Sequence, residues 1–379
     1  MNNNKPLLDK NPWVYVISLV ERSLPMEWFF DELYNQNENI LIVFLNPVQP
    51  PIMEALSKKG LQVQWLKYVG KKSIPFVFFK LFNLFSELKP SVVHAHLFDA
   101  SLVSLPAAAL AGIKKRIHTR HHSSHHHYFF PHAVKYDNFI NYWSSSIFAI
   151  SDNVKKILVE DEKVPAQKVK VVHHGFDFGM FQNVSSDRVK VVKGKYTYSE
   201  KGPVIGVVSR FTYWKGIQFI ISAFEKVLMK YPNAVLILAN AKGDYINEIN
   251  ELLSALPYDS YRQILFEADT PALFRSFDLF VHVPIDDHSE AFGQVYIEAL
   301  MSKVPSVFTL SGIANEFIVD NRNALVVGYK DFDGIYNSII KLIEDKRLAE
   351  QLASQGYEDV LELFDVKTMV SNTIAYYGQ

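Results

Sequence analysis

Short apolar runs recur along the chain, each separated from the next by a segment of helical spacing, and this alternation restricts its fold more than any other feature. In the first half the runs are WVYVISLV (13–20), ILIVFL (40–45), VQWLKY (63–68), SVVHAH (91–96), KRIHT (115–119), SIFAIS (146–151) and KVKVVHH (168–174). In the second half PVIGVVS (203–209), AVLILAN (234–240), QILFEA (263–268), LFVHVP (279–284), PSVFTL (305–310) and ALVVGY (324–329) repeat the pattern. Strands buried on both faces and joined by crossover helices read this way. The expectation is an α/β chain of two Rossmann-like, doubly wound domains facing each other across a cleft. The polar stretch 183–203 reads as the linker, giving an N-terminal domain at 1–185 and a C-terminal domain at 200–362. Past residue 331 the pattern is helical, with a last helix at 363–379. Open parallel sheets bind ligands beyond the carboxyl ends of their strands, so chemistry is expected at those ends.

The chain has 379 residues, 49% of them hydrophobic, which provides for a large core and excludes a disordered or fibrous protein. Lys plus Arg (39) nearly balances Asp plus Glu (40), so there is no general attraction to nucleic acid. Without cysteine, disulfide frameworks, thiolate zinc sites and thiol nucleophiles are excluded, and a reducing compartment suits the composition. The opening MNNNKPLLDKNPWVYVISLVERS has no basic segment before a long apolar one, and Glu21 and Arg22 interrupt its apolar run. A cytoplasmic protein without signal peptide is expected, and no apolar stretch reaches the roughly 18 to 20 residues of a membrane span.

Charge is uneven. Residues 1–190 carry 22 Lys/Arg against 16 Asp/Glu, and the remainder 17 against 24. The basic half suits an anionic substrate or lipid, although compositional scatter produces the same numbers. Within it, KKSIPFVFFKLFNLFSELKP (71–90) joins Lys71, Lys72, Lys80 and Lys89 to five phenylalanines. That composition fits a helix lying on an anionic bilayer, a peripheral membrane contact, and equally a crossover helix packed in the core with its lysines solvated.

The stretch VPIDDHSEAFGQVYIEALMSKVPSVFTL (283–310) is the richest in chemistry. Glu290 precedes a helix start at Phe292 and Gly293, and Glu298 follows inside that helix. Backbone N–H groups at such a start, opened by a glycine, donate to phosphate oxygens. A carboxylate on the loop accepts hydrogen bonds from sugar hydroxyls, and one in the helix can hold a ribose diol with both oxygens. Glu290 and Glu298 in EAFGQVYIE resemble the E-x7-E motif of GT-B glycosyltransferases, most closely family GT4. VVSRFTYWKGIQFIISAF (207–224) is similar to the same family's pattern of strand, Arg, short loop, Lys-Gly and helix. SVVHAH, FAISDNVKKIL, VKVVHHGFD, FDLFVHVP and SGIANEFIVDNRNALVV follow in the family's order.

The resemblance implies that 200–362 binds a nucleotide sugar, that 1–185 is the acceptor side, and that the helix 363–379 returns to pack on the N-terminal domain. Arg210 and Lys215 would contact the donor diphosphate, with Ser209, Ala291, Phe292 and Gly293 lining its site. Glu298 would take the ribose, Glu290 the donor sugar, and Glu267 the base. His121 would approach donor sugar and acceptor, with His122 as the alternative. Asp286 would touch the acceptor or line the loop. The implied reaction is retaining transfer of a sugar from a nucleotide-sugar donor to an acceptor hydroxyl, glycan or lipid-linked, without metal or other cofactor, in cell-surface polysaccharide or glycolipid synthesis. The chemistry agrees, since fixed cations and a helix N-terminus stabilise the negative charge that builds on a departing nucleoside diphosphate.

The chain departs from the family in LVERSLPMEW (19–28), which has no glycine where relatives carry a phosphate-holding loop, and in His174-Gly175, where Asn-Gly is usual. Seven of its 13 histidines fall in 118–132: His118, His121, His122, His125, His126, His127 and His132. A neutral imidazole at His121 would hydrogen-bond a sugar hydroxyl and would change character on protonation near pH 6. A metal site is the competing reading of the cluster, but no carboxylate spacing accompanies it, so no metal is assigned. DFD (331–333) mimics a metal-binding DxD motif and is expected instead to cap a helix. Three rivals remain open: a noncatalytic nucleotide-sugar or glycan-binding protein, a sugar-nucleotide epimerase of the same fold, and a histidine-rich metal binder.

Overall fold

The computed structural model of the chain describes residues 10–37, 39–196 and 202–378, which form two compact units. The first comprises Met1–Phe176 and Phe364–Gln379, the second Asp177–Leu363.

Seven strands form the sheet of the first unit: β1 (Trp13–Ser18), β2 (Ile40–Asn46), β3 (Gln62–Lys67), β4 (Val92–His96), β5 (Lys115–Arg120), β6 (Ser146–Ala149) and β7 (Val169–Val171). Their order is β3-β2-β1-β4-β5-β6-β7 and all pairs are parallel, with Val14 opposite both Leu41 and Val93. The chain reverses its direction of sheet growth between β1 and β4. Alternate residues of each strand feed two apolar layers, Tyr15, Ile17, Ile42 and Phe44 on one face and Val14, Val16, Val43 and Leu45 on the other. This two-sided burial explains why the strands read as continuous apolar runs.

The second unit repeats the plan with β8 (Val204–Val208), β9 (Val235–Ala239), β10 (Tyr261–Ile264), β11 (Leu279–His282), β12 (Ser306–Phe308) and β13 (Leu325–Val326). The order is β10-β9-β8-β11-β12-β13, again all parallel, so the reversal lies between β8 and β11. Two Rossmann-like units with intervening helices and a helical C-terminal segment make up the fold.

Three differences from the sequence expectation have physical causes. The fourth-from-last run was placed at 263–268, whereas β10 spans Tyr261–Ile264 and leaves Leu265 and Phe266 exposed. Apolar letters past the sheet edge mimic a longer strand. The linker placed at 183–203 instead carries a helix, Ser186–Tyr196, and the units divide at 176/177 rather than near 185. Arg188 on that helix grips Asp269 with two hydrogen bonds of 2.8 and 2.6 Å, and Lys195 and Tyr196 bind Glu267, so a polar sequence docks through charge instead of through an apolar face. Residues 197–201 of the expected linker lie outside the described residues.

The last helix, Val366–Gly378, packs within the first unit. Its Tyr377 hydroxyl meets the Tyr15 hydroxyl at 2.6 Å and His94 Nδ1, while Trp13 stands edge-on to the ring at 4.9 Å. Asp331 caps the helix Phe332–Glu344 by accepting the Gly334 N–H at 2.8 Å, and Asp333 pairs with Lys226.

The helix Ile74–Leu88 packs one face into the core, as a crossover helix does, and leaves another exposed. Val77, Leu81 and Phe85 are buried in the core, and Phe76 and Phe79 are exposed, with Lys80 Nζ 5.7 Å from the Phe76 ring centre. Among the described residues no helix is long and apolar enough to cross a membrane.

Candidate functional site

The strand reversal in the second unit opens the carboxyl ends of β8 and β11 side by side, the place where a doubly wound sheet receives a ligand. From β8 the chain runs through Ser209 and Arg210 into a turn, Tyr213–Lys215, and then the helix Ile217–Lys230. Gly216 joins turn to helix at φ +73°, and a Cβ there would lie 2.0 Å from the Val283 carbonyl oxygen. Only glycine permits the turn to close against the end of β11. The Ile285 N–H completes the junction by donating to the Trp214 carbonyl at 3.0 Å.

This junction delivers Lys215 to Glu290. The ammonium hydrogen-bonds Glu290 Oε1 and lies over the Trp214 ring at 4.3 Å, while His282 Nε2 reaches the same oxygen at 3.1 Å. Burial alone would raise the Glu290 carboxyl, but the Lys215 charge and the His282 hydrogen bond outweigh it and hold the group down at about 2. Glu290 is therefore ionised at neutral pH. Burial pushes His282 below the usual imidazole value, against the pull of Glu290, so its ring is neutral when the pair is at rest.

Three residues on, Gly293 at φ +86° starts the helix Gln294–Met301, and no side chain caps that start. A Cβ on Gly293 would lie 2.6 Å from the Tyr296 ring, which packs edge-on against His282 at 4.8 Å and ties the helix to β12 by donating to the Thr309 carbonyl. Ala291 and Phe292 form the approach to this start, and Phe292 O accepts the Ile313 N–H at 2.9 Å. An uncapped helix start beside Lys215 favours an anion.

Arg210 is exposed, and among the described residues its guanidinium has no hydrogen bond or ion pair. Ser209, buried, donates its N–H to the Ala239 carbonyl at 3.0 Å, holding the start of the loop to β9. Glu298 is half-buried in the helix, and its carboxylate has no partner among the described residues. Burial pushes it up to about 7.

Two expected site residues are engaged elsewhere. Glu267 accepts hydrogen bonds from Lys195 at 2.8 Å, Tyr196 at 2.5 Å and the Asp269 N–H at 2.9 Å, so it anchors the helix Ser186–Tyr196. Asp286 shapes its own loop by accepting from the His288 and Ser289 N–H groups and the Ser289 hydroxyl. His282 was not singled out from sequence, and its only signal was a polar residue ending an apolar run.

In the first unit His121 follows β5. Its Nε2 lies 3.2 Å from His96 Nδ1, and its ring stacks on His174 at 5.4 Å. Burial, reinforced by His96 and His174, holds it well below the usual imidazole value. The titration near pH 6 anticipated for it is therefore displaced downward, and the ring stays neutral. The rest of the histidine cluster disperses. His118 is a core residue bonded to the Ser144 hydroxyl at 2.9 Å, His127 meets Glu162 at 3.2 Å, and His132 is exposed. His122 and His126 turn to Asp137, a carboxylate that no local spacing announced.

The chain is similar to known glycosyltransferases. The family model described as "Glycosyl transferases group 1" matches residues 190–359, and that described as "Glycosyltransferase Family 4" matches 43–179. The capsular polysaccharide biosynthesis glycosyltransferase CapM of Staphylococcus aureus is 26% identical over 290 residues, 75% of this chain and 76% of that protein. Mannosylfructose-phosphate synthase of Agrobacterium fabrum is 24% identical over 218 residues, 55% of this chain and 47% of that protein. Among solved structures, Anabaena HepE in complex with UDP and glucose superposes with a TM-score of 0.82 at 19% identity, covering 97% of this chain and 99% of that one. A glycosyltransferase from Rickettsia africae gives 0.80 at 21% identity, covering 97% and 98%.

Proposed function

Because the chain belongs to the GT4-like, group 1 glycosyltransferases, we propose that its second unit holds a nucleotide-sugar donor at the ends of β8 and β11 and that the enzyme transfers the sugar with retention of configuration. The observation that carries this reading is the convergence of Lys215 and His282 on ionised Glu290 beside the uncapped start of the helix Gln294–Met301. The diphosphate takes that helix start, with Lys215 and the uncommitted Arg210 neutralising the charge that grows as the glycosidic bond to phosphate breaks. Glu290 is left to accept hydrogen bonds from the sugar, and Glu298, without a partner, accepts the ribose diol. No metal is needed for these contacts, since fixed cations serve the leaving group. Neutral His121 in the first unit hydrogen-bonds a sugar hydroxyl, with His122 set aside for the role because it faces Asp137.

The acceptor is a hydroxyl of a glycan or lipid-linked saccharide, and the product belongs to cell-surface polysaccharide or glycolipid synthesis, as the name of CapM suggests for that relative. Exposed Phe76 and Phe79 beside Lys71, Lys72 and Lys80 support peripheral contact with an anionic membrane. Co-sedimentation with anionic but not zwitterionic vesicles, reduced in Phe76→Ser/Phe79→Ser, tests that contact.

The reaction is tested by incubating the enzyme with the stabilising nucleotide sugar and an acceptor panel. Transfer requires the acceptor. Product formed without one would identify an epimerase, and saturable binding without consumption would identify a noncatalytic binder.

A further inference from the structure

Around β5 the first unit contains a buried polar cluster that the transfer reaction does not use. Arg120, 2% exposed, lies between Asp137 and Glu162, at 3.1 Å from Asp137 Oδ1 and hydrogen-bonded to Glu162 Oε1. Asn141 Nδ2 donates to the other oxygen of Glu162 at 2.6 Å. One guanidinium thus faces two carboxylates, and Asp137 also faces two imidazoles. His126 Nδ1 hydrogen-bonds Asp137 Oδ2 at 2.6 Å, and the His122 and His126 rings are 4.1 Å apart. His122 Nε2 and Asp137 Oδ1, 3.3 Å apart, are both buried and neither makes a hydrogen bond.

We propose that His122, His126 and Asp137 form a binding site for one divalent transition-metal ion of the class that imidazole and carboxylate ligands favour, with zinc as the representative. One ligand atom from each residue lies within 4.8 Å of the others. Tetrahedral zinc with bonds near 2.0–2.1 Å sets its ligand atoms about 3.3 Å apart, which is the separation of His122 Nε2 and Asp137 Oδ1. An ion between these two atoms would give the buried His122 Nε2 a ligand bond and would share Asp137 Oδ1 with the Arg120 ion pair.

The protonation states suit a ligand set. Burial first, then the Arg120 charge, pushes His122 down to about 4, so its ring is neutral. Burial alone would raise the Asp137 carboxyl, but the two imidazoles and the Arg120 guanidinium reverse this and keep it ionised. Binding through His126 Nδ1 would place that ring's proton on Nε2 and replace its hydrogen bond to Asp137 Oδ2.

Three separate segments would be joined: the loop after β5, the short helix His125–Phe129 and the helix Val134–Trp143. His126 also lines a cavity of about 280 Å³ with Lys71, Phe98, His125, Phe130 and Tyr136. The ion would fix one wall of that cavity and leave a fourth position for water or a ligand oxygen. The residues proposed for the diphosphate and ribose lie in the second unit, whereas His121, proposed to meet a sugar hydroxyl, adjoins His122.

The test is titration of the metal-free, full-length protein with zinc sulfate by calorimetry against a competing chelator, with metal content measured after dialysis. One equivalent is expected in the wild type. His122→Ala and His126→Ala should each weaken it at least tenfold, while His125→Ala and His132→Ala leave it intact. Cobalt in place of zinc should give tetrahedral visible absorption that His126→Gln abolishes, with folding of each variant verified by circular dichroism. Absence of stoichiometric zinc in the wild type, or binding that survives loss of His122 and His126, would overturn the proposal. Binding lost equally in His125→Ala and His132→Ala would also overturn it, as adventitious capture by exposed histidines.

Discussion

The end of β11 in the second unit and the end of β5 in the first present two polar sites on the same kind of strand end, built in opposite ways. At β11 few elements carry the site: His282 and Glu290 flank one loop and converge with Lys215, which a single glycine-dependent turn brings in, and Glu298 lies in the helix that the loop leads into. At β5 the histidines are crowded in sequence and scatter in space, some into the core, one to His96 and two to a carboxylate on the next helix. The difference teaches that spacing reveals a site only where one strand, loop and helix carry it. A cluster of letters reveals little when its partners come from other elements.

That contrast can be broken by mutation. The largest effect is expected at the donor side, where Lys215→Ala or Arg210→Ala should remove on the order of 3 kcal/mol of leaving-group stabilisation, about a hundredfold in kcat/KM in a steady-state assay. Wild-type turnover in either variant would break the assignment. Next, Glu298→Ala should weaken nucleotide affinity by roughly tenfold or more, since hydrogen bonds to a charged group contribute about 1.5–3 kcal/mol.

The elevated Glu298 carboxyl gives this residue a pH signature. Nucleotide affinity should fall as pH drops through about 7, where the carboxylate gains its proton, and Glu298→Gln should flatten the profile in a titration series. The same shift lowers stability as pH rises from the ordinary glutamate range through about 7, because the folded state holds the proton more tightly than the unfolded one. Glu298→Gln should therefore raise Tm at pH 8 by about 2–4 °C, the shift expected for about 1 kcal/mol. The smallest effect on binding is expected at Glu267→Gln, which should lower Tm through the helix Ser186–Tyr196 and leave nucleotide affinity within about twofold. A large affinity loss there would return Glu267 to the base-binding role that its order in the sequence suggested.

The fold was legible because the central strands are runs of apolar letters bounded by polar ones, as β1, β2 and β8 show. What misled was local: Leu265 and Phe266 are apolar yet exposed, and 186–196 is polar yet helical because Arg188, Lys195 and Tyr196 dock it by charge. At the site, Glu290, Glu298, Lys215 and Arg210 could be named from two motifs, whereas His282 hid inside a strand and Asp137 lay eleven residues from the histidine it holds. Glu267 was placed by order alone and its hydrogen bonds give it work within the fold, while Asp286, expected to touch an acceptor or line the loop, shapes the loop.

The central claim is a nucleotide-sugar donor site assembled by Arg210, Lys215, Glu290 and Glu298. It is tested most directly by a thermal-shift screen of the purified enzyme against UDP, GDP, ADP, CMP and common nucleotide sugars, with Glu298→Ala as control, since ligand binding to the folded state raises Tm. Stabilisation by one nucleotide family, lost in Glu298→Ala, is the result expected. No shift with any nucleotide, or an equal shift in the variant, would contradict the claim.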